Sequence, residues 1–206
     1  MKKLIIIGAG GHGKVVSSIA MQTKRFDEIY FVDDHFTGSV NDIDIIGKID
    51  CIRNFKGSYE FFVAIGNNKI RKKITDELLE SNYLLATLSH QNTVISDSVE
   101  IGKGTVIMPG VIINNDAQIG SGCIINTNTV VEHDCIIGDF VHLSPSVTIA
   151  GTTKIGNSSW IGTNATLINN LTVGENVIVG ASGLVIDNLE SNATYVGIPV
   201  KKIGVY

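Results

Sequence analysis

The 206-residue sequence predicts a chain of α/β plus β class, in which a small α/β domain is followed by a parallel β-helix. Three observations lead to this expectation. An aliphatic residue recurs at every sixth position through the second half, a glycine-rich turn joins a strand to a helix near the N-terminus, and 22 glycines contrast with only 3 prolines. We expect residues 1–90 to form the first domain and residues 91–206 the second, with a C-terminal tail.

The N-terminal segment has the pattern of a strand, a glycine-rich turn and a helix. Residues 4–7 are aliphatic, and residues 8–13 read Gly-Ala-Gly-Gly-His-Gly. A second strand over 29–32 ends at Asp33 and Asp34. This spacing matches the fingerprint of Rossmann-like domains, in which backbone N–H groups of the turn approach a phosphate at a helix N-terminus. Because the domain is about half the size of a full dinucleotide-binding fold, we expect it to bind one nucleotide group.

A further strand, over 60–65, ends at Gly66 and Asn67, and a basic helix over 69–80 follows it. Ligands of open α/β sheets bind at the carboxyl ends of the strands, where these residues and the glycine-rich turn lie. His12 has little packing reason to occupy a glycine loop and is a candidate ligand contact; the alternative is a solvated turn residue.

The second half carries a repeat of six residues, a period that fits neither a helix nor an alternating strand. It predicts a coil of short parallel strands, in which three hexapeptides complete one triangular turn. The large aliphatic side chain points to the axis, a small residue four positions later fills the inner corner, and glycine relieves the backbone there. Sixteen aliphatic residues are in register: Ile95, Ile101, Ile107, Ile113, Ile119, Ile125, Val131, Ile137, Leu143, Ile149, Ile155, Ile161, Leu167, Val173, Val179 and Val185.

Composition excludes several classes of function. A net charge of −4 argues against a nucleic-acid partner, and no apolar run is long enough to span a bilayer, so we expect no membrane partner and a cytoplasmic location. The 3 cysteines have no metal-ligand spacing, so neither a metal site nor a disulfide scaffold is expected. Cys123 and Cys135 occupy the small inward position of their hexapeptides and are expected in the core.

The order of the two parts resembles bacterial sugar O- and N-acetyltransferases, typified by sialic acid O-acetyltransferases and nucleotide-4-amino-sugar N-acetyltransferases. These are hexapeptide-repeat proteins whose left-handed parallel β-helices form trimers. The segment from Gly197 to Lys201 resembles the family signature Gly-x-Pro-Ala-Lys, with Val200 in place of alanine. The other motifs that carry the resemblance are Gly-Gly-His-Gly at 10–13, Asp33-Asp34, Gly66-Asn67, Val-Glu-His-Asp-Cys at 131–135, His142 and Ala150-Gly151.

The resemblance implies an enzyme that moves an acetyl group from acetyl-CoA, a co-substrate, to the amino group of a UDP- or GDP-4-amino-deoxy sugar for surface glycan biosynthesis. It implies a homotrimer, with acetyl-CoA between neighbouring β-helices and no further cofactor. O-acetylation of sialic acid or another sugar hydroxyl is the alternative within the class. A non-catalytic binding or scaffold protein and an NAD-dependent enzyme are alternatives from other classes.

His133 is the residue that we expect to be the general base. An amine that attacks a thioester must lose a proton, and an imidazole with a pKa near 7 suits that task. His133 lies two residues after the inward Val131 and two before the small Cys135, so it is expected to face outward. Either Glu132 or Asp134 can accept the other imidazole N–H and fix the tautomer, and the resemblance favours Asp134.

The resemblance implies roles for further residues. The N–H of Gly151 faces the thioester carbonyl, although a corner glycine is an equally good interpretation. His142 contacts substrate or cofactor, the alternative being a surface histidine, and Gly197, Pro199 and Lys201 bind acetyl-CoA. The expected nucleotide-sugar contacts are Gly10, Gly11, His12, Gly13, Asp33, Asp34, Gly66 and Asn67.

Overall fold

A computed structural model of the protein describes residues 1–55, 57 and 59–205. The chain divides into two compact units, Met1–Gln91 and Asn92–Tyr206. Across the described residues, no helix combines the length and the apolar character needed to cross a membrane.

The first unit is a parallel sheet with two α-helices. Its strands are β1 (Lys3–Ile7), β2 (Glu28–Val32), β3 (Ser39–Val40), β4 (Ile43–Asp44), β5 (Tyr59–Val63), β6 (Leu84–Leu85) and β7 (Leu88–Ser89), and its helices are α1 (Gly11–Gln22), a 3₁₀ helix at Ile49–Asn54, and α2 (Asn68–Glu80). The main sheet has the order β2-β1-β5-β6, with parallel pairing throughout, and β3 and β4 form an antiparallel pair. The central strand β1 is fully buried from Leu4 to Ile7, as its unbroken aliphatic run predicts.

Helix α1 begins early, at Gly11, inside the glycine-rich segment of residues 8–13 that the sequence predicts as a turn. Gly13 explains this early start. A Cβ at Gly13 would lie 2.1 Å from the carbonyl oxygen of Gly8, so only glycine lets the first turn of the helix pack directly on the end of β1.

The second unit is a parallel β-helix of two-residue strands. The strands are β8 (Val94–Ile95), β9 (Glu100–Ile101), β10 (Val106–Ile107), β11 (Ile112–Ile113), β12 (Gln118–Ile119), β13 (Ile124–Ile125), β14 (Val130–Val131), β15 (Ile136–Ile137), β16 (His142–Leu143), β17 (Thr148–Ile149), β18 (Lys154–Ile155), β19 (Trp160–Ile161), β20 (Thr166–Leu167), β21 (Thr172–Val173), β22 (Ile178–Val179), β23 (Leu184–Val185), β24 (Ala193–Gly197) and β25 (Val200–Val205). The second residue of each strand from β8 to β23 is one of the sixteen aliphatic residues in register.

Every third strand pairs in parallel with the strand one coil away, and this pairing produces three faces. The first face contains β8, β11, β14, β17, β20 and β23, and the second contains β9, β12, β15, β18 and β21. The third contains β10, β13, β16, β19 and β22, and is extended by β24 and by the antiparallel β25. The fold class expected from the sequence, a Rossmann-like domain followed by a hexapeptide β-helix, is confirmed.

The core of the β-helix is the stack of inward aliphatic residues together with the small inner-corner residues. Cys123 and Cys135 are fully buried in this stack, as expected. Small polar residues at the same position bond to a backbone carbonyl: the Thr153 hydroxyl donates to Ile168 O at 2.9 Å. Thr, Ser and Cys therefore suit this position because they are short and can donate to a buried carbonyl, whereas Ala suits it by size alone.

Candidate active site

His133 lies at the corner between the first and second faces, in the turn that joins β14 to β15. Its side chain is 59% exposed, and its Nδ1 lies 2.8 Å from Oδ2 of Asp134. Asp134 has φ +57°, the left-handed conformation that aspartate tolerates well, and this conformation places its carboxylate beside the imidazole. Glu132 instead accepts a hydrogen bond from the Asn114 amide at 2.9 Å. Of the two acids that flank His133, Asp134 is therefore the one that orients it.

The hydrogen bond to Asp134 determines the protonation chemistry of His133. An ionised carboxylate only accepts, so Nδ1–H donates and Nε2 carries the free lone pair of a base. The hydrogen bond to Asp134 raises the pKa of His133; burial opposes this, and the negative charges of Asp134 and Glu132 add to the rise. The imidazole is therefore a stronger base than a free histidine.

Gly151 occupies the same corner one coil later, directly beside the imidazole. A Cβ at Gly151 would lie 2.7 Å from both Cε1 and Nε2 of His133. The Gly151 carbonyl accepts from Asn170 N at 3.1 Å, while no acceptor within the described part of the chain pairs with its N–H. A free backbone donor beside a histidine lone pair can stabilise an oxyanion next to the base.

His142 lies on the third face, in β16, and is held by neighbours on two sides. Its imidazole stacks on the Trp160 indole one coil later, with ring centroids 5.9 Å apart and planes 8° apart. The Trp160 indole N–H donates to Ser144 Oγ at 2.8 Å, which holds the ring in place. Asn126 Nδ2 makes a long contact of 3.4 Å with Nε2 of His142. These neighbours make His142 an ordered group rather than a mobile surface side chain.

The two histidines do not belong to one face of the chain. His133 follows β14 of the first face, whereas His142 is part of β16 on the third face. Within one chain, these two imidazoles are therefore held on different parts of the β-helix.

The cysteines do not supply a nucleophile to this corner. Cys135 is fully buried, and its thiol donates to the Ala150 carbonyl at 3.3 Å. Burial raises the pKa of the Cys135 thiol, which favours the unreactive protonated form.

The C-terminal hairpin carries the remaining residues expected at an acetyl-CoA site. Gly197 ends β24 with φ +106°, a conformation that requires glycine, and Pro199 lies in the turn before β25. Lys201 is exposed, whereas the adjacent Lys202 pairs with Glu190 at 2.7 Å. Lys201 is thus the lysine whose ammonium group faces solvent without an ion-pair partner among the described residues.

In the first unit, the glycines of the N-terminal turn divide by role. Gly8 has φ +104° and, like Gly13, lies against backbone, so both serve close packing. Gly10 and Gly11 have open space where a Cβ would point, and Gly11 begins α1. The open pair therefore offers backbone N–H groups at a helix N-terminus, where an anion is stabilised.

His12 is mostly buried beside this open pair, so it is not the solvated turn residue of the alternative interpretation. Its Nε2 is buried and has no hydrogen-bond partner among the described residues. Burial, with the positive charge of Arg71, lowers the pKa of His12 to about 4. The imidazole is therefore neutral at pH 7 and presents an unsatisfied polar atom, which is costly unless a ligand pairs with it.

Asp33 and Asp34 differ in the hydrogen bonds that their carboxylates accept. The Asp33 carboxylate accepts from the backbone N–H of Ala9 at 2.7 Å, and from those of His35 and Phe36. Burial opposes its ionisation, but these three bonds outweigh it and lower the pKa of Asp33. Asp33 thus links the turn after β2 to the glycine-rich turn, whereas the exposed Asp34 accepts from Ile49 N at 3.0 Å.

The loop from β5 to α2 contributes Gly66 and Asn67. Gly66 is exposed, and the Asn67 side chain caps α2 by accepting from Ile70 N at 3.1 Å. Arg71 is 1% exposed and donates to the carbonyls of Ile65 and Gly66 at 3.0 and 3.1 Å. The guanidinium fixes the shape of this loop and supplies the charge felt by His12.

Sequence reasoning missed Arg71, Trp160 and Asn126 as parts of the candidate sites. Trp160 occupies the position of His142 one coil later, so the repeat register itself contained the signal for it. Asn126 lies two residues after Ile124, the residue that pairs with His142 one coil earlier. The sequence gives no comparable signal for Arg71, because a basic residue in a basic helix is normally expected to be exposed to solvent.

Comparisons with known proteins agree with this architecture. A family model described as the PglD N-terminal domain matches residues 3–78, and one described as the bacterial transferase hexapeptide matches 92–127, 116–151 and 152–185. The chain is similar to the acetyltransferase domain of PglB from Neisseria gonorrhoeae FA1090, with 37% identity and a TM-score of 0.96 over 98% of this chain and 100% of that one. That domain has also been solved in complex with acetyl coenzyme A.

Two further relatives extend the comparison. PerB from Caulobacter crescentus, solved with CoA and GDP-perosamine, is 33% identical with a TM-score of 0.90 over 99% of this chain and 98% of that one. UDP-N-acetylbacillosamine N-acetyltransferase of Bacillus subtilis (strain 168) is 35% identical over 118 residues, which are 52% of each protein. The chain spans about half the length of the curated relatives it matches. Because both of its parts match and the likeness to the gonococcal domain extends over nearly its whole length, the chain belongs to the bacterial hexapeptide-repeat sugar acetyltransferases with a PglD-type N-terminal domain.

Proposed function

We propose that the chain transfers an acetyl group from acetyl-CoA to the amino group of a nucleotide-activated amino sugar, a UDP- or GDP-4-amino-deoxy sugar, in surface glycan biosynthesis. The observation that carries the proposal is the base at the corner of the β-helix: His133, oriented by Asp134, with Nε2 beside Gly151. The complex of PerB with CoA and GDP-perosamine supports the substrate class.

The reaction uses the corner in three steps. The sugar amine attacks the thioester carbonyl of acetyl-CoA, and Nε2 of His133 takes the proton that the nitrogen loses as the C–N bond forms. The Gly151 N–H donates to the oxyanion of the tetrahedral intermediate. The C–S bond then breaks, and the imidazolium returns its proton to the leaving thiolate, giving the N-acetyl sugar and free CoA. Asp134 holds the tautomer and stabilises the imidazolium in between.

The first unit binds the nucleotide sugar in this proposal. Gly10 and Gly11 offer N–H groups to the diphosphate, and the neutral His12 pairs its buried Nε2 with the ligand. This pairing is favourable because a buried nitrogen without a hydrogen-bond partner costs free energy, and a ligand group that bonds to it removes that cost.

The functional unit is a homotrimer in this proposal. His133 and His142 occupy different faces of one chain, so a single site that uses both needs a neighbouring chain. Aliphatic side chains such as Ile112 and Ile136 are more than a third exposed on the β-helix, as expected for faces that pack against a second copy. Acetyl-CoA then lies between chains, near His142, Trp160 and the Gly197–Lys201 hairpin.

Incubation of the purified protein with acetyl-CoA and a panel of UDP- and GDP-4-amino sugars tests the proposal. Free thiol and acetylated sugar are expected to appear in equal amounts, and the product is expected to survive mild alkali, which cleaves O-acetyl esters but not amides. An alkali-labile product would assign the enzyme to O-acetylation instead. No thiol release with any amino sugar or sialic acid, from protein that binds acetyl-CoA, would favour a binding protein and contradict the proposal.

A further inference from the structure

Gly151 is unusual for the position that it occupies in the repeat. The position two residues after the inward aliphatic residue holds a glycine in only one of the sixteen hexapeptides, at Gly151. On the same corner of neighbouring coils the equivalents are Asn115, His133 and Asn169. Gly151 does not have a positive φ, and its neighbours show that this corner accepts side chains. The backbone of the repeat therefore does not require glycine there.

The space that a side chain at 151 would take is filled by the base. All three of the nearest atoms to a Cβ at Gly151 belong to the His133 imidazole, at 2.7, 2.7 and 3.3 Å. Glycines at the ordinary corner position differ: a Cβ at Gly102 would meet the backbone of Gly120 in the next coil at 2.5 Å. Gly102 serves the stacking of coils, whereas Gly151 makes room for one functional side chain.

We infer that Gly151 is a positioning residue for His133: its missing side chain lets the imidazole lie against the corner, where Nδ1 reaches Asp134 and Nε2 lies beside Gly151. The inference rests on the proposed function, in which His133 takes the amine proton. It adds a role distinct from that of the Gly151 N–H, because alanine keeps the N–H and removes only the space.

The size of the effect follows from the geometry. Restoring an ordinary contact of 3.4 Å from 2.7 Å requires the imidazole to move by about 0.7 Å. Displacements of about 1 Å in a catalytic group cost about 10²-fold in rate, so Gly151→Ala is expected to lower kcat by about 10- to 100-fold. The ring is the exposed and movable partner, so the displacement falls on His133 rather than on the coil.

An NMR titration tests the position of the ring without any substrate. In Gly151→Ala the displaced imidazole loses its hydrogen bond to Asp134, so the pKa of His133 is expected to fall toward the ordinary value for histidine. Asn169→Ala, which changes the same corner one coil later, is the matched control and is expected to leave the His133 titration unaltered. A His133 pKa in Gly151→Ala that matches the parent protein would overturn the inference.

A double-mutant cycle tests the route of the effect. Gly151→Ala is expected to reduce kcat in the parent enzyme and to have no further effect in a His133→Ala background, because the displaced group is then absent. An equal loss in both backgrounds would show that Gly151 acts independently of His133, and would overturn the inference. If Gly151→Ala alone folds poorly, His133→Ala/Gly151→Ala is expected to regain the parent Tm, and failure to do so refutes the clash. Full turnover by His133→Ala would refute the assignment of His133 as the base instead, while the NMR result would still decide the position of the ring.

Discussion

Replacement of His133 by alanine tests the assignment of the base. The imidazole projects from a corner and is 59% exposed, so its removal leaves no cavity in the core, and the fold is expected to persist. The Gly151 N–H stays in place, so its contribution to the oxyanion is retained. What disappears is the acceptor for the amine proton, which is worth about 10²- to 10⁴-fold in kcat for a general base.

The pH dependence of the remaining activity makes the prediction specific. Without His133 the amine must reach the thioester already deprotonated, so the residual rate is expected to rise as the pH increases. Steady-state thiol release measured with the true sugar acceptor gives both quantities, and calorimetric binding of acetyl-CoA checks that the donor site is intact. Asn115→Ala, a change at the same corner one coil earlier, is the control and is expected to leave kcat near the parent value. A His133→Ala enzyme that keeps near-normal turnover refutes the reasoning and makes His142 the next candidate.

Three further predictions concern the other titratable groups. Asp134→Asn removes the bond that raises the pKa of His133, so the acid limb of the kcat/KM profile is expected to move to lower pH, with a smaller loss of kcat than in His133→Ala; an unmoved limb contradicts the role of Asp134. His12→Ala is expected to raise KM for the nucleotide sugar about 10-fold and to leave KM for acetyl-CoA unchanged, and the reverse pattern in initial rates would assign the first unit to the donor. The unfolded chain protonates His12 near pH 6.5 and the folded chain only near 4, so the free energy of unfolding is expected to fall by about 3 kcal/mol over this interval in the parent, and by less in His12→Gln. Urea unfolding at the two pH values measures that difference, and equal losses would show that His12 is not held neutral.

The sequence was sufficient to predict the architecture because the repeat leaves little freedom. A hexapeptide whose aliphatic residue always points inward determines which residues are buried, which strands pair and which positions form corners. The burial of Cys135 and the outward direction of His133 follow from register alone, and both are confirmed. The choice between Glu132 and Asp134 did not follow, because it depends on the left-handed backbone at Asp134 and on the amide of Asn114 one coil earlier.

The environment of His12 could not be predicted from the sequence, for a different reason. Its burial and its neutral state depend on Arg71, whose guanidinium is drawn into the protein by carbonyls at the end of a separate strand. No periodicity links a glycine-rich turn to the first turn of α2. Contacts of that kind are set by the packing of the sheet, so a motif identifies the turn but not the charge that tunes it.

A repeat offers one advantage that a unique fold does not, because each position has internal references within the same chain. Gly151 could not be distinguished from an ordinary corner glycine by its residue type, but the fifteen other hexapeptides show which glycines the backbone needs and which it does not. When a residue differs from its equivalents in the repeat, and those equivalents show that the backbone accepts other side chains there, its identity has a cause other than the fold of the repeat. At Gly151 that cause is the imidazole of His133 one coil away, and the same comparison identifies Trp160 beside His142. The exceptions to the register, rather than the register itself, therefore mark the chemistry of this β-helix.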